Sequence, residues 1–283
     1  MKNDSLSDRM KNYEGRSQSH LPRRTYTMLR LDGKAFHTFT KGLKRPYDLE
    51  LMSDMDNTAK YLCENIQGCK FGYVQSDEIT LVLTDFDTIY TDAWFDGNVQ
   101  KITSVSASMA AAKFNQLRIA RILIPRVEEV QQRHQEFPAR NDWAHLTVDV
   151  TPLIEGKLAN FDSRCWVIPD QVEVYNCLLW RQQDATSNSI QMVGQANFSY
   201  KQLQNKSCNQ IQEMLLTEKG IDWSDMPDGF KYGRCVIKET YETLDTFKND
   251  GSLVTRSRWT VVDAPVFSQS LDFVWKFLPK ISG

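Results

Sequence analysis

The stretch Thr25–His37, T-Y-T-M-L-R-L-D-G-K-A-F-H, decides how the chain is read. Its first half is β-branched and aromatic and alternates as a strand does. It halts at Asp32-Gly33 and turns helical with Ala35, Phe36 and Phe39. A carboxylate ending a strand, a glycine that admits close backbone approach and amides opening a helix together suit a metal and a phosphate. A second acidic turn, Gln75-Ser76-Asp77-Glu78, separates the strand-like runs Cys69–Gln75 and Glu78–Thr84.

Outward from these turns, the pattern predicts a strand at Thr25–Leu31, a short helix through Phe39 and a loop over Lys41 to Tyr47. An amphipathic helix follows at Asp48–Ile66, with Leu49, Met52, Ala59, Leu62, Cys63 and Ile66 on one face and Asp48 placed to cap it. After the hairpin come an acidic, aromatic loop (Asp85 to Asn98) and a helix at Val99–Leu117. The less regular interval Arg118 to Asn160 carries a short helix (Glu128–Phe137) and a short strand (His145–Val150). Phe161–Pro169 reads as a further strand. The order β-α-β-β-α-β predicts an α+β fold of ferredoxin-like type, an antiparallel sheet with helices on one face.

From Gln171 the texture is mainly helical: one long amphipathic run, a helix at Lys206–Leu216 and a turn-rich stretch from Gly220 to Gly229. Strands are predicted at Tyr232–Glu239 and Trp259–Val262. We divide the chain into a core over residues 1–155, with its last strand at 160–169, and a helical and strand-bearing region over 156–283 packed on it. Met1 to Arg24 is polar and aperiodic and reads as an arm.

The 283 residues suffice for a sizeable core, and 41% apolar with 25% charged residues describe an ordinary globular chain. A net charge of −2 excludes a global basic field, so any polyanion must be held locally. Arg23-Arg24, Lys41-Lys44-Arg45, Arg118-Arg121-Arg126 and Arg256-Arg258 are the clusters available, and each also reads as a solvated face. Six cysteines without a C-x-x-C pair fit reduced thiols. Four histidines argue against a His-rich transition-metal centre and favour a hard cation on carboxylate oxygen. The polar, acidic start is unlike a signal or transit peptide, and no apolar run has the length of a membrane span. A cytoplasmic location without membrane contact is expected.

Asp32 and Asp77 are the pair best placed for chemistry. In a ferredoxin-like sheet the first strand lies between neighbours, so the hairpin tip can come beside its end. Two carboxylates there can hold Mg²⁺ while phosphates complete the shell, and two such ions serve phosphoryl or nucleotidyl transfer. Glu78 in extended chain points away from Asp77 unless the turn re-aims it. The plain alternative is turn chemistry, since Asp-Gly and Ser-Asp-Glu are common punctuation. Lys34 and His37 are phosphate contacts or solvated side chains; Ser76 donates to phosphate or closes the turn. Lys101 meets phosphate only if its helix start faces the site. Trp180-Arg181-Gln182-Gln183-Asp184 reads as a packed tryptophan with a surface ion pair, and Arg164 as a buried ion-pair residue or a reader of substrate.

R-L-D-G-K-A-F-H at Arg30–His37, Y-V-Q-S-D-E at Tyr73–Glu78, F-D-S-R at Phe161–Arg164 and W-R-Q-Q-D at Trp180–Asp184 together resemble the tRNA-histidine guanylyltransferase superfamily. Order and spacing match from about Leu21 to about Lys238. The resemblance implies a polymerase-like palm and addition of nucleotides in the 3′–5′ direction to a tRNA 5′ end. That end is activated by ATP or by a triphosphate already present, and is then attacked by the 3′-hydroxyl of an incoming nucleoside triphosphate, GTP among them. It implies that Asp32, the Gly33 carbonyl and Asp77 hold two Mg²⁺ ions and that Glu78 supports catalysis. Gly33, Lys34, Ala35, Phe36 and His37, with Ser76 and Lys101, would take the nucleotide. Arg164, Arg181 and Asn188 would meet the tRNA 5′ end, and a homotetramer would pool the basic clusters. Where eukaryotic members carry H-I-N-N-L-Y-N, this chain has Thr186-Ser187-Asn188-Ser189-Ile190-Gln191-Met192, with only Asn188 in register. That version resembles the guanylyltransferase-like proteins that repair 5′-truncated tRNA. Guanosine addition to tRNA-histidine, a palm-fold nucleotide cyclase and a non-catalytic nucleotide- or tRNA-binding module are the competing readings.

Overall fold

A computed structural model describes residues 5–136, 156–247 and 253–281. The predicted order is present: β1 (Tyr26–Gly33), the short helix α2 (Phe36–Phe39), α3 (Leu49–Asn65), β2 (Cys69–Gln75), β3 (Glu78–Leu83), α4 (Val99–Glu136) and β4 (Phe161–Ile168). Before them, α1 spans Leu6–Gly15. After them come α5 (Gln171–Asn197), α6 (Tyr200–Leu203), α7 (Cys208–Met214), α8 (Asp228–Lys231), β5 (Arg234–Phe247), β6 (Leu253–Asp263) and α9 (Leu271–Trp275). The strands form one antiparallel sheet in the order β4-β1-β3-β2-β5-β6. Its first four strands have the ferredoxin-like arrangement, with β1 between β4 and β3 as expected. The C-terminal strands continue the same sheet, because β5 pairs with β2 through Gly72↔Val236, Tyr73↔Cys235 and Val74↔Arg234.

Strand alternation assigns the two faces. On β1, Leu29 and Leu31 enter the core under α3 and α4, with Met55, Leu62, Ile102 and Phe114. Tyr26 and Met28 face the opposite way, with Val174 and Leu178 of α5 and with Phe267 and Val274. The sheet is therefore covered on both faces, and the expectation of helices on one face is corrected by α5. The face shared by Tyr26 and Met28 continues to Arg30 and Asp32, so a buried apolar row ends in charge at the strand's C-terminal end.

Three other expectations change. The N-terminal arm contains a helix, α1, capped by Ser5, whose hydroxyl accepts from Asp8 N at 3.1 Å; it buries no residue, hence its lack of apolar periodicity. Residues after it are docked: Leu21 N donates to Gly97 O at 2.9 Å, and Arg23 Nε to Asp85 at 2.6 Å. The helix expected to stop at Leu117 continues through Pro125 to Glu136. Buried Asp54 of α3 accepts from Arg118 Nη1 at 3.0 Å and Arg121 Nε at 2.7 Å, which holds this extension to the body of the protein. The short helix predicted at Glu128–Phe137 merges into it. Phe137 itself, the predicted strand His145–Val150 and the segment around the proposed division at 155 lie outside the described residues. Asp48 caps α3 as expected, accepting from Leu51 N at 2.9 Å. All six cysteines are free thiols. Among the described residues, no helix is long and apolar enough to cross a membrane.

Candidate active site

The two acidic turns are hydrogen-bonded neighbours. Gly33 N donates to Asp77 O at 3.1 Å, and Asp32 lies directly opposite Glu78 in the β1–β3 ladder. Ser76 opens the tight β2–β3 turn with φ +46°, a left-handed backbone that a side chain strains. Asp77 thus belongs to the turn and not to the extended strand. For that reason Asp77 and Glu78, expected on opposite sides, both border one cavity, together with Asp32.

That cavity, of about 510 Å³, is closed by Arg30 of β1 and by Trp180, Arg181, Asp184 and Asn188 of α5. A second cavity of about 480 Å³ lies on the other side of the carboxylates, against Gly33, Ala35, Phe36, His37 and the loop Lys44–Tyr47. Asp32, Ser76 and Asp77 line both. The acidic ridge therefore has a ligand-sized space on either side of it.

Electrostatics mark the ridge as strained. Burial, and then the charge of Asp32, push the Asp77 carboxyl up to about 6. Burial, then Glu78 and Asp162, raise Asp32, with Arg164 and Arg30 acting against them. Glu78 is compensated: it accepts from Arg181 Nε and Nη2, both at 2.7 Å. Arg181 Nη2 also donates to Asp184 at 2.8 Å, and Asn188 to Asp184 at 3.3 Å. The expectation of a packed tryptophan with a surface ion pair is inverted. Trp180 is 53% exposed and the arginine is buried, its guanidinium 4.6 Å from the Trp180 ring centre.

The remaining predicted residues separate. Gly33, Ala35, Phe36, His37 and Ser76 line the second cavity, although the Phe36 ring itself is buried. Ala35 has φ +55°, so two strained non-glycine residues, Ala35 and Ser76, flank Asp32 and Asp77. A Cβ on Gly33 would lie 2.3 Å from the Phe36 ring, which packs against Phe39, Phe114 and Phe161. Lys34 and Lys101 are exposed and line neither cavity. Arg164, read as a buried ion-pair residue, is half exposed and pairs with Asp162 at 3.0 Å.

Sequence reasoning missed Arg30, whose buried Nε has no hydrogen-bond partner and sits 3.9 Å from Glu78. It also missed Gln191 and Gln195 of α5. Their signal was readable: Arg181, Asp184, Asn188, Gln191 and Gln195 recur at alternating spacings of three and four, a polar stripe on one helix face.

Two carboxylates beside a backbone carbonyl suit a hard divalent cation that keeps positions open for phosphate oxygens. The upward shifts of Asp32 and Asp77 are what such a cation would relieve. Among the described residues, no group of three or more His, Cys, Asp or Glu has metal-holding geometry.

A family model described as tRNAHis guanylyltransferase (Thg1) matches residues 7–169. Uncharacterized protein R259 of Acanthamoeba polyphaga mimivirus is 27% identical over 272 residues, 90% of this chain and 83% of that protein. The tRNA(His) guanylyltransferase of Saccharomyces cerevisiae is 24% identical over 227 residues, 76% of this chain and 83% of that protein. Among solved structures, a bacterial tRNA(His) guanylyltransferase (Thg1)-like protein in complex with ATP has a TM-score of 0.75 at 40% identity, covering 96% of this chain and 98% of that one. A GTP complex of a bacterial Thg1-like protein has a TM-score of 0.71 at 39% identity, covering 97% and 99%. A palm-like α+β sheet, its acidic ridge and these likenesses agree, and the chain belongs to the tRNAHis guanylyltransferase family of nucleotidyltransferases.

Proposed function

We propose that this protein adds nucleotides in the 3′–5′ direction to the 5′ end of tRNA, copying the opposite strand to repair a truncated acceptor stem. The observation that carries this reading is the shared ridge. Asp32, Ser76 and Asp77 separate cavities of about 510 and 480 Å³, room for two reacting partners to meet at one pair of carboxylates. The ATP- and GTP-bound relatives support nucleoside triphosphates as those partners. The repair reading is favoured by Thr186–Met192, which keeps only Asn188 of the guanylyltransferase motif.

Asp32, the Gly33 carbonyl and Asp77 would hold Mg²⁺. When bound, it supplies Lewis-acid polarisation of phosphate oxygens and acidifies an attacking hydroxyl. The protein's own groups do the positioning. His37, Lys44 and Arg45 line the second cavity and offer donors and charge to a triphosphate. Arg30 lines the first cavity with a guanidinium whose Nε lies 3.9 Å from Glu78, and its charge there suits an RNA 5′-phosphate. Arg181 keeps Glu78 oriented and α5 seated over the ridge.

The test offers tRNAs lacking their first nucleotide, with each nucleoside triphosphate in turn. Incorporation dictated by the opposing base is expected. Guanosine alone, whatever the opposing base, would replace this reading with addition to tRNA-histidine; a cyclic product formed without RNA would replace it with a cyclase. Asp32→Ala and Asp77→Ala should each abolish addition with circular dichroism unchanged.

A further inference from the structure

A third cavity, of about 490 Å³, adjoins the two at the carboxylates. Gln195 lines all three. Gln191 is shared with the cavity beside Glu78, and Arg45 with the one beside His37. Its chemistry differs from theirs, because no Asp or Glu lines it. Arg45 and Lys206 reach it from separate segments, and neither has an ion-pair partner among the described residues. By contrast Arg23, Arg118, Arg121, Arg181 and Arg234 are all held by carboxylates. In a chain of net charge −2, two uncommitted cations on one acid-free cavity make a local anion site.

The rest of the wall narrows the ligand class. Phe198 and Ile211 are buried and give an apolar floor, while Tyr200 at the cavity leaves 81% of its surface in water. Gln191, Gln195 and Gln204 carry amides that both donate and accept. An aromatic face for stacking, cations for phosphate and amides for base edges is the composition of a single-stranded nucleic-acid site.

We propose that this cavity binds the unpaired RNA strand lying opposite the 5′ end that is extended, an assignment of strand that rests on the reading in the previous subsection. A duplex end held with its 5′ nucleotide at Asp32 and Asp77 has a partner strand running past it. The acid-free cavity is the neighbouring surface chemically able to take that strand. Helix α5 would then touch both strands with one face, through Arg181 and Asn188 at the ridge and through Gln191 and Gln195 beyond it.

The test compares RNA hairpins of identical stem, either blunt or with a four-nucleotide 3′ overhang. Binding to wild type, Tyr200→Ala and Lys206→Ala is measured by fluorescence anisotropy across a salt series. Both positions are exposed, so the fold survives their change. The overhang should tighten wild-type binding by about tenfold, and Tyr200→Ala should remove most of that advantage. Lys206→Ala should flatten the salt dependence of the overhang RNA by about one phosphate contact. Equal binding of blunt and overhang RNA by wild type, or an advantage that survives in both variants, would overturn the proposal. Nucleotide addition is assayed on the same RNAs. Addition without an overhang advantage sinks this cavity and leaves the polymerase reading standing; a Tyr200-dependent advantage without addition does the reverse.

Discussion

Arg181 grips Glu78 through two hydrogen bonds of 2.7 Å and so ties α5 to the hairpin that carries Asp77. Both side chains are nearly buried, at 8% and 10% exposure. Removing one partner strands the other charge in a poorly solvated place. Arg181→Ala should therefore cost about 3–5 kcal/mol in urea unfolding. The double change Arg181→Leu with Glu78→Leu should cost less than Arg181→Ala alone. Near-additive losses would show that the pair is not coupled.

Asp77 makes stability depend on pH. Its folded-state pKa of about 6 lies above the ordinary 3.8, so the fold favours the protonated carboxyl. That contribution is complete below pH 3.8 and is lost as pH rises through about 6. Asp77→Asn should thus melt above the parent at pH 7.5 in EDTA, with the gain vanishing toward pH 4. A Tm difference that does not change with pH would contradict this. Mg²⁺ should narrow the gap by stabilising only the protein that keeps the carboxylate.

Gly33→Ala tests the packing behind the second cavity. The added methyl would lie 2.3–2.6 Å from atoms of the Phe36 ring, which must then move within its cluster of phenylalanines. A loss of about 1–3 kcal/mol is expected, with weaker triphosphate binding by titration. Phe36→Leu in the same chain should recover part of the stability. If the single variant were as stable as the parent, the ring would not be confined as described.

Ser76→Gly separates backbone strain from side-chain chemistry. Glycine adopts φ +46° freely, so the turn should gain about 0.5–1 kcal/mol. The same change removes the Ser76 hydroxyl that helps hold Asp77 ionised. The acid limb of the activity–pH profile should therefore move upward while stability rises. A limb that stays in place would show that the hydroxyl has no part in setting the charge of Asp77.

The ridge was legible because local chemistry announces it. Strand alternation ends at Asp32-Gly33, and Ser76-Asp77 interrupts two strand-like runs. The order of the first four strands then follows from the β-α-β-β-α-β pattern. What escaped depended on distant partners or on burying nothing. Helix α1 has no buried face, and only its Ser5 cap marks it. Helix α4 passes Leu117 because Arg118 and Arg121 find Asp54 more than sixty residues away. Arg181 carries the sequence signature of a surface ion pair and becomes a buried one only because Glu78 lies across from it.

Strand β2 is hydrogen-bonded to β3 on one side and to β5 on the other. The hairpin that carries Asp77 and Glu78 thus has no free edge, and its outer guard comes from the last quarter of the chain. A fragment cut before Arg234 would bare Gly72–Val74, and with them an unsatisfied row of amides and carbonyls ready to pair between molecules. Such a truncation would aggregate through that bared edge in place of yielding a minimal nucleotidyltransferase.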